Sequence, residues 1–172
     1  MKKILNQTLV YLLAAVVILV DQYTKYLVRL NLAVEERWEP WPWLAPYARI
    51  LHIENTGAAF GLFQSGGLIF TVIAVIVSTV IIFYAFRLPE DQWGLRLILG
   101  LMLGGAAGNL VDRLTRGPVT DFISVGTFAI FNVADASISV GVALLALMMF
   151  LESRQTKPPE AAHADMSEAS GT

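Results

Sequence analysis

The chain has 172 residues, a formal net charge of −2 and no Cys; 56% of its residues are hydrophobic, 15% are charged and the mean hydropathy is +0.61. Soluble domains average about 45–50% apolar and about 25% charged residues, so this balance reads as one compact integral membrane unit of a few spans. Disulfides, thiol catalysis and thiolate metal sites are excluded, no basic footprint for nucleic acid is present, and two histidines, His52 and His163, are too few for a histidine metal cage.

From the start, Lys2 and Lys3 precede an apolar run, 9–20, of signal-peptide core length. No small-residue cleavage site follows it; Asp21-Gln22-Tyr23-Thr24-Lys25 does. A retained helix over 4–30 is therefore predicted, enough for the ~20 residues a crossing needs. Residues 33–67 are mixed. Trp38, Trp41, Trp43 and Tyr47 predict a segment at the water–lipid boundary, where amphipathic rings settle, compatible with a small packed insertion. Residues 49–54 alternate loosely and predict a short strand. Asn55-Thr56-Gly57 breaks it, and Gly57, Gly61, Gly66 and Gly67 predict a close-approaching loop.

Residues 68–86 carry no charge and form the second predicted span. A turn at Pro89 leads to the third, 95–114. There Gly100, Gly104, Gly105 and Gly108 recur at a spacing that lets helices approach closely. Residues 115–127, with Pro118, read as a loop and 128–151 as the fourth span. The tail from 152, with Pro158-Pro159 and many Ala, Ser and Glu, has the composition of a disordered segment.

Spans that alternate in direction put the polar residues on one membrane face. Asp21 and Lys25 end the first span, and Asn109, Asp112 and Arg113 end the third. Asp121 precedes the fourth, and Asn132 and Asp135 lie in its first turns. Glu54 and Asn55 precede the second. Ionisable groups at membrane depth are costly and mark function by default, so this segregation predicts one site. Six Lys/Arg fall on each side, so the positive-inside count ties, with Lys2 and Lys3 favouring a cytoplasmic N-terminus.

Spacing sorts the cluster. Asp21 and Lys25, at i and i+4, are a reachable ion pair. Asp112 beside Arg113 reads as a brace. Asp121 and Asp135 have no adjacent cation, and a loop returning into the fourth helix can bring them together. Two carboxylates in contact share one proton. The ionised member can deprotonate a water and the protonated member can polarise a carbonyl. That is aspartyl protease chemistry, with Asn55, Asn109 and Asn132 available to hold the pair or an oxyanion. The same groups could bind a cation. Two alternatives follow: a cation or proton transporter, disfavoured by the lack of paired inverted halves, and a metal-dependent lipid-modifying transferase, disfavoured by the spacing of Asp112, Asp121 and Asp135.

The blocks Asp21-Gln-Tyr-Thr-Lys25, Asn55-Thr-Gly-Ala-Ala-Phe-Gly61, Gly108-Asn-Leu-Val-Asp-Arg113, Val119-Thr-Asp-Phe122 and Phe131-Asn-Val-Ala-Asp135 resemble those of bacterial lipoprotein signal peptidase, signal peptidase II, over about residues 4–151. The resemblance implies a mainly α integral membrane protein of four transmembrane helices, with a small periplasmic β-cradle and a short interfacial helix drawn from 33–67. It implies a single membrane-embedded peptidase domain over 1–151 and a cytoplasmic tail, 152–172. The activity implied is that of an aspartyl endopeptidase of the bacterial inner membrane. It removes signal peptides from prolipoproteins, cutting before a cysteine that carries a diacylglyceryl group. Asp121 and Asp135 match the catalytic pair. Asn55, Gly57, Asn109, Asp112, Arg113 and Asn132 match positions that line or support the site and meet substrate or the cyclic peptide antibiotic globomycin. Asp21 and Lys25 match a supporting pair. No metal and no cofactor are implied. The implied partners are membrane lipids, diacylglyceryl-modified prolipoproteins and globomycin-like inhibitors, with no nucleic acid and a monomeric state. Both termini would be cytoplasmic and the site near the periplasmic face.

Overall fold

The computed structural model describes residues 2–57, 66–89 and 91–155. The expected glycine loop at 58–65 and the tail beyond 155 lie outside the described residues. Four helices, α1 (Lys2–Asn31), α2 (Gly66–Ala85), α3 (Trp93–Thr115) and α4 (Val133–Gln155), are joined by a three-stranded antiparallel sheet, β1 (Arg37–Trp38), β2 (Ala48–Asn55) and β3 (Val119–Val125), in spatial order β1-β2-β3. Each helix contains a stretch long and apolar enough to cross a membrane.

The spans are not equivalent. Within its most apolar window α3 is 61% buried inside the protein, against 28%, 17% and 11% for α1, α2 and α4. The third helix is therefore the packing axis, and the others turn most of their side chains outward. Val140, Leu144, Leu147 and Phe150 of α4 are exposed, as are Leu68, Ile69, Val72 and Ile76 of α2. In water such faces would aggregate; in a bilayer they meet acyl chains of equal polarity. The apolar centre lies where Val10 and Ala14 of α1 meet Ile81 and Ala85 of α2 and Leu95, Leu99 and Leu103 of α3.

Glycines set how closely α3 is approached. A Cβ on Gly105 would press on the Ala134 carbonyl oxygen and come within 2.7 Å of Ile138 Cγ1, so α4 crosses α3 with backbone in contact. Gly105→Ala must push α4 outward. The expected cost is about 1–3 kcal/mol, read as a lower Tm in detergent, together with reduced activity because α4 carries Asn132 and Asp135. An unchanged Tm would show that the helices can separate freely.

The sheet departs from expectation in two places. Residues 119–125, read as loop from sequence, form β3. The segment is rich in β-branched residues (Val119, Thr120, Ile123, Val125), which suit a pleated surface. The fourth helix begins at Val133 instead of 128. Phe131 is held in the sheet instead: its N–H donates to Ile123 O at 3.1 Å, and its carbonyl accepts from Phe122 N at 3.0 Å and Ile123 N at 2.8 Å. Within the insertion 33–67, from which a short interfacial helix was expected, the segment Trp41–Ala48 is a pair of turns. Ala45 N donates to Trp41 O at 3.2 Å and Ala48 N to Leu44 O at 2.8 Å, without a continuous helix. Trp38, Trp41, Trp43 and Tyr47 are all exposed there, as rings seated at a lipid boundary require.

Candidate active site

The site begins with the way α4 starts. Asn132 precedes the first helical residue, and its Oδ1 accepts from Asp135 N at 2.9 Å. In return Asp135 Oδ2 accepts from Asn132 N at 3.3 Å. This is a reciprocal capping box, which satisfies two of the backbone donors that a helix start leaves unpaired. The carboxylate in the first turn also suits the positive end of the helix dipole.

Asp121 arrives from β3. It stands opposite Ile53 in a register that shifts between Ile50 and Ile53, so that Leu51 and His52 of β2 face Phe122 alone. Such bulges re-aim side chains. Here Asp121 is brought, 2% exposed, against the start of α4. Its Oδ1 accepts from Asn132 Nδ2 at 2.7 Å and its Oδ2 from Asn55 Nδ2 at 2.9 Å. Asp135 Oδ1 accepts from Asn109 Nδ2 at 2.7 Å. Asn132 thus donates to both carboxylates, to Asp121 through its side-chain amide and to Asp135 through its backbone N–H.

Behind the aspartates lies a buried charge cluster. The Lys25 ammonium donates to Asp21 Oδ2 at 2.8 Å, Asp112 Oδ2 at 2.9 Å and Asn109 Oδ1 at 2.9 Å, and Asp21, Lys25 and Asp112 are all 0% exposed. An ammonium has three donors, and all three are used. The remaining oxygens are also bonded. Asp21 Oδ1 accepts from Ala134 N at 2.9 Å, which ties α1 to α4, and Gln22 Nε2 reaches Gly108 O at 3.0 Å and Asp112 Oδ1 at 3.2 Å, which ties α1 to α3.

Burial pushes the Asp121 carboxyl up from near 3.8 to about 6. The Asn55 amide opposes that, the Asp135 charge adds to it, and the Asn132 amide opposes it again; desolvation wins. A raised folded-state pKa means the folded protein holds the proton more tightly than the unfolded chain. This stabilisation is complete below about 4 and is lost as pH rises through about 6. Asp121→Asn removes it. Between pH 4 and pH 7 the wild type should lose of order 1–3 kcal/mol relative to Asp121→Asn, measured by unfolding in detergent. A difference that stays constant across that range would refute the shift.

The chain and its four-helix membrane unit have counterparts among known proteins. A family model described as signal peptidase (SPase) II matches residues 13–151. The chain belongs to that family. The lipoprotein signal peptidase of Anoxybacillus flavithermus is 41% identical over 153 residues, covering 87% of this chain and 89% of the relative. That of Moorella thermoacetica is 41% identical over 141 residues, covering 81% and 91%. A solved structure described as a bacterial membrane enzyme, obtained by the in meso method at 2.3 Å resolution, superposes with a TM-score of 0.77 at 27% identity, covering 88% of this chain and 93% of its own. The protein is thus a multi-pass membrane protease with the function of a lipoprotein signal peptidase.

In this signal peptidase II the expected residues gather with some changes of role. Asp112 pairs with Lys25 and lies 3.8 Å from Arg29, not with its neighbour Arg113. Arg113 instead stands over the Phe70 ring, 5.6 Å from its centre, and lines a cleft with Thr56, Thr71 and Gly117. Gly57 has φ 90°, a conformation natural to glycine, and donates its N–H to Asn55 Oδ1 at 2.8 Å. That bond orients the Asn55 amide so that its nitrogen meets Asp121. Asp21 and Lys25 do not end their helix; α1 runs on to Asn31, which places them roughly 9–15 Å back from its end. Glu54 is exposed on β2.

Sequence reasoning missed Gln22, Arg29 and Thr120 as members of the support. Arg29 donates to Thr120 Oγ1 at 3.0 Å, fixing β3 to α1 one residue from Asp121. The signal was present: Asp21, Lys25 and Arg29 repeat every four residues along one face of α1. Among the described residues no three His, Cys, Asp or Glu side chains gather as a metal-ligand set.

Proposed function

We propose that this protein cleaves prolipoproteins immediately before a diacylglyceryl-modified cysteine, using a water activated between Asp121 and Asp135. The observation that supports this most is Asn132, which bonds to both carboxylates and so holds them about one small gap. Asp135 is the ionised member and takes a proton from the water. Asp121 carries the proton and donates it to the scissile carbonyl oxygen, as its burial favours. A peptide lying over the site excludes more water and strengthens that preference. The water oxygen bonds to the carbonyl carbon, giving a tetrahedral gem-diol. Collapse breaks the C–N bond, Asp135 passes its proton to the leaving amine, and a diol hydroxyl returns one to Asp121.

Asn55 and Arg113 border the opening and would meet the peptide, or a globomycin-like cyclic peptide competing for the same place. Helix ends put the site at one membrane face, and the family resemblance supports reading that as the periplasmic face of the bacterial inner membrane, with both termini cytoplasmic. The lipid on the substrate then stays among membrane lipids while its peptide enters the site. The unit acts as a monomer.

The test is cleavage of a synthetic lipidated prolipoprotein by purified protein in detergent with a chelator present. The expected product begins with the diacylglyceryl cysteine by mass spectrometry, at an undiminished rate. Loss of activity with the chelator, restored by added metal, would replace the dyad with metal-assisted hydrolysis.

A further inference from the structure

We propose that Lys25, which cannot touch substrate, is a positioning residue that fixes the direction in which Asn109 presents its amide to Asp135 and to Asn132. The inference rests on the dyad reading and deepens it.

An ammonium has donors only. The Asn109 atom 2.9 Å from Lys25 Nζ must therefore be the amide oxygen. That leaves the Asn109 NH2 facing Asp135 Oδ1 at 2.7 Å, where it serves an ionised carboxylate. The same Asn109 oxygen accepts from Asn132 Nδ2 at 3.1 Å, and this NH2 also donates to Asp121 Oδ1 at 2.7 Å. The Asn132 oxygen accepts from Asp135 N, 2.9 Å away, which holds this second amide in the matching direction. One buried cation sets the polarity of the Asn109 amide, and together Asn109 and Asn132 reach both members of the pair.

Without it, the Asn109 amide could rotate by half a turn at no steric cost, whereas the Asn132 amide stays held by the Asp135 N–H on its oxygen. A rotated Asn109 would offer its oxygen to Asp135, and only a protonated Asp135 could donate to it. Lys25 thus holds Asp135 in the form that accepts a proton from water. The other charges about this chain of bonds are Asp21 and Asp112 on Lys25, Arg29 3.8 Å from Asp112, and Arg113, whose charge acts on Asp135, Asp121 and Asp112.

The experiment uses the double variant Asp21→Asn with Lys25→Met, which removes one negative and one positive charge together. Asp112 keeps Arg29 as its partner. Net charge is unchanged, which limits, without removing, the change in the field that Lys25 exerts at Asp121. The expected result is kcat reduced about tenfold or more, KM changed little, and the acid limb of kcat moved up by about one pH unit. A folded double variant with wild-type kcat and pH profile would overturn the proposal, because a purely structural brace would leave the profile in place.

Asn109→Asp provides a second arm with the side-chain shape conserved. It puts a carboxylate oxygen where the NH2 met Asp135, and a proton must be shared between them. The acid limb should again move up; an unmoved limb means that the NH2 end does not face Asp135. If Asp121→Asn or Asp135→Asn kept activity, the dyad reading itself would fail. If both are inactive while the Lys25 and Asn109 variants keep the wild-type profile, only the positioning role fails.

Discussion

Asp121→Asn and Asp135→Asn are each expected to lower cleavage at least 10²–10⁴-fold, the range that a positioned acid or base contributes, while the protein stays folded. The chemistry predicts equal severity, because one group must accept the water proton and the other must supply one to the carbonyl. The structural costs differ. At position 121 two amides, from Asn55 and Asn132, donate to the two carboxylate oxygens. An asparagine there has one oxygen, so one donor loses its acceptor. Asn55 is exposed and can turn to water, whereas Asn132 is 0% exposed and keeps its bond. At position 135 the substitution sets an NH2 against the Asn132 N–H or the Asn109 NH2, which removes part of the capping box and costs about 0.5–2 kcal/mol. Cleavage followed by mass spectrometry, beside thermal unfolding in detergent, separates the effects. More than a few per cent of wild-type turnover in either folded variant would refute the dyad.

Lys25→Met alone should be the most destabilising single change, at about 3–5 kcal/mol, the cost of removing one partner from a buried ion pair. It would leave Asp21 and Asp112, both 0% exposed, without the ammonium they share. Arg29, 3.8 Å from Asp112, would relieve one of them in part. The triple variant Asp21→Asn, Lys25→Met, Asp112→Asn should recover most of the loss, because well-packed neutral groups replace an ion cluster at little net cost. Unfolding in mixed micelles measures both. A single variant within about 1 kcal/mol of wild type would mean that water reaches the cluster, contrary to its burial.

The outline of this molecule was legible because bilayer physics is severe. The uncharged run 68–86 became α2 and the apolar run 95–114 became α3, each within a few residues of its expected ends, and most of the polar blocks lie at or near helix termini. Local backbone choices were less legible. Asn132 and Asp135, three apart, carry the signature of a helix start, yet the apolar run 128–131 suggested that the helix began earlier. Pro118 made the segment after it resemble a loop, although the residues beyond it suit a strand. The partner of Asp112 was hidden for a geometric reason. Neighbouring residues on a helix point in different directions, so Arg113 could not brace it, and the cation came from α1. Contacts between distant elements are what a linear pattern states least directly, and most of the support under the aspartates consists of such contacts.

The cap that starts α4 has a consequence for how the enzyme comes into being. Asn132 and Asp135 satisfy the first turn of the helix with the same atoms that frame the proposed water site. A chain that enters the bilayer in order has its first three spans in place before this turn exists. Until the fourth has been inserted and wound, there is no second carboxylate and no bridge to the first. On the proposed dyad, proteolytic competence is thus tied to completed insertion of the fourth span.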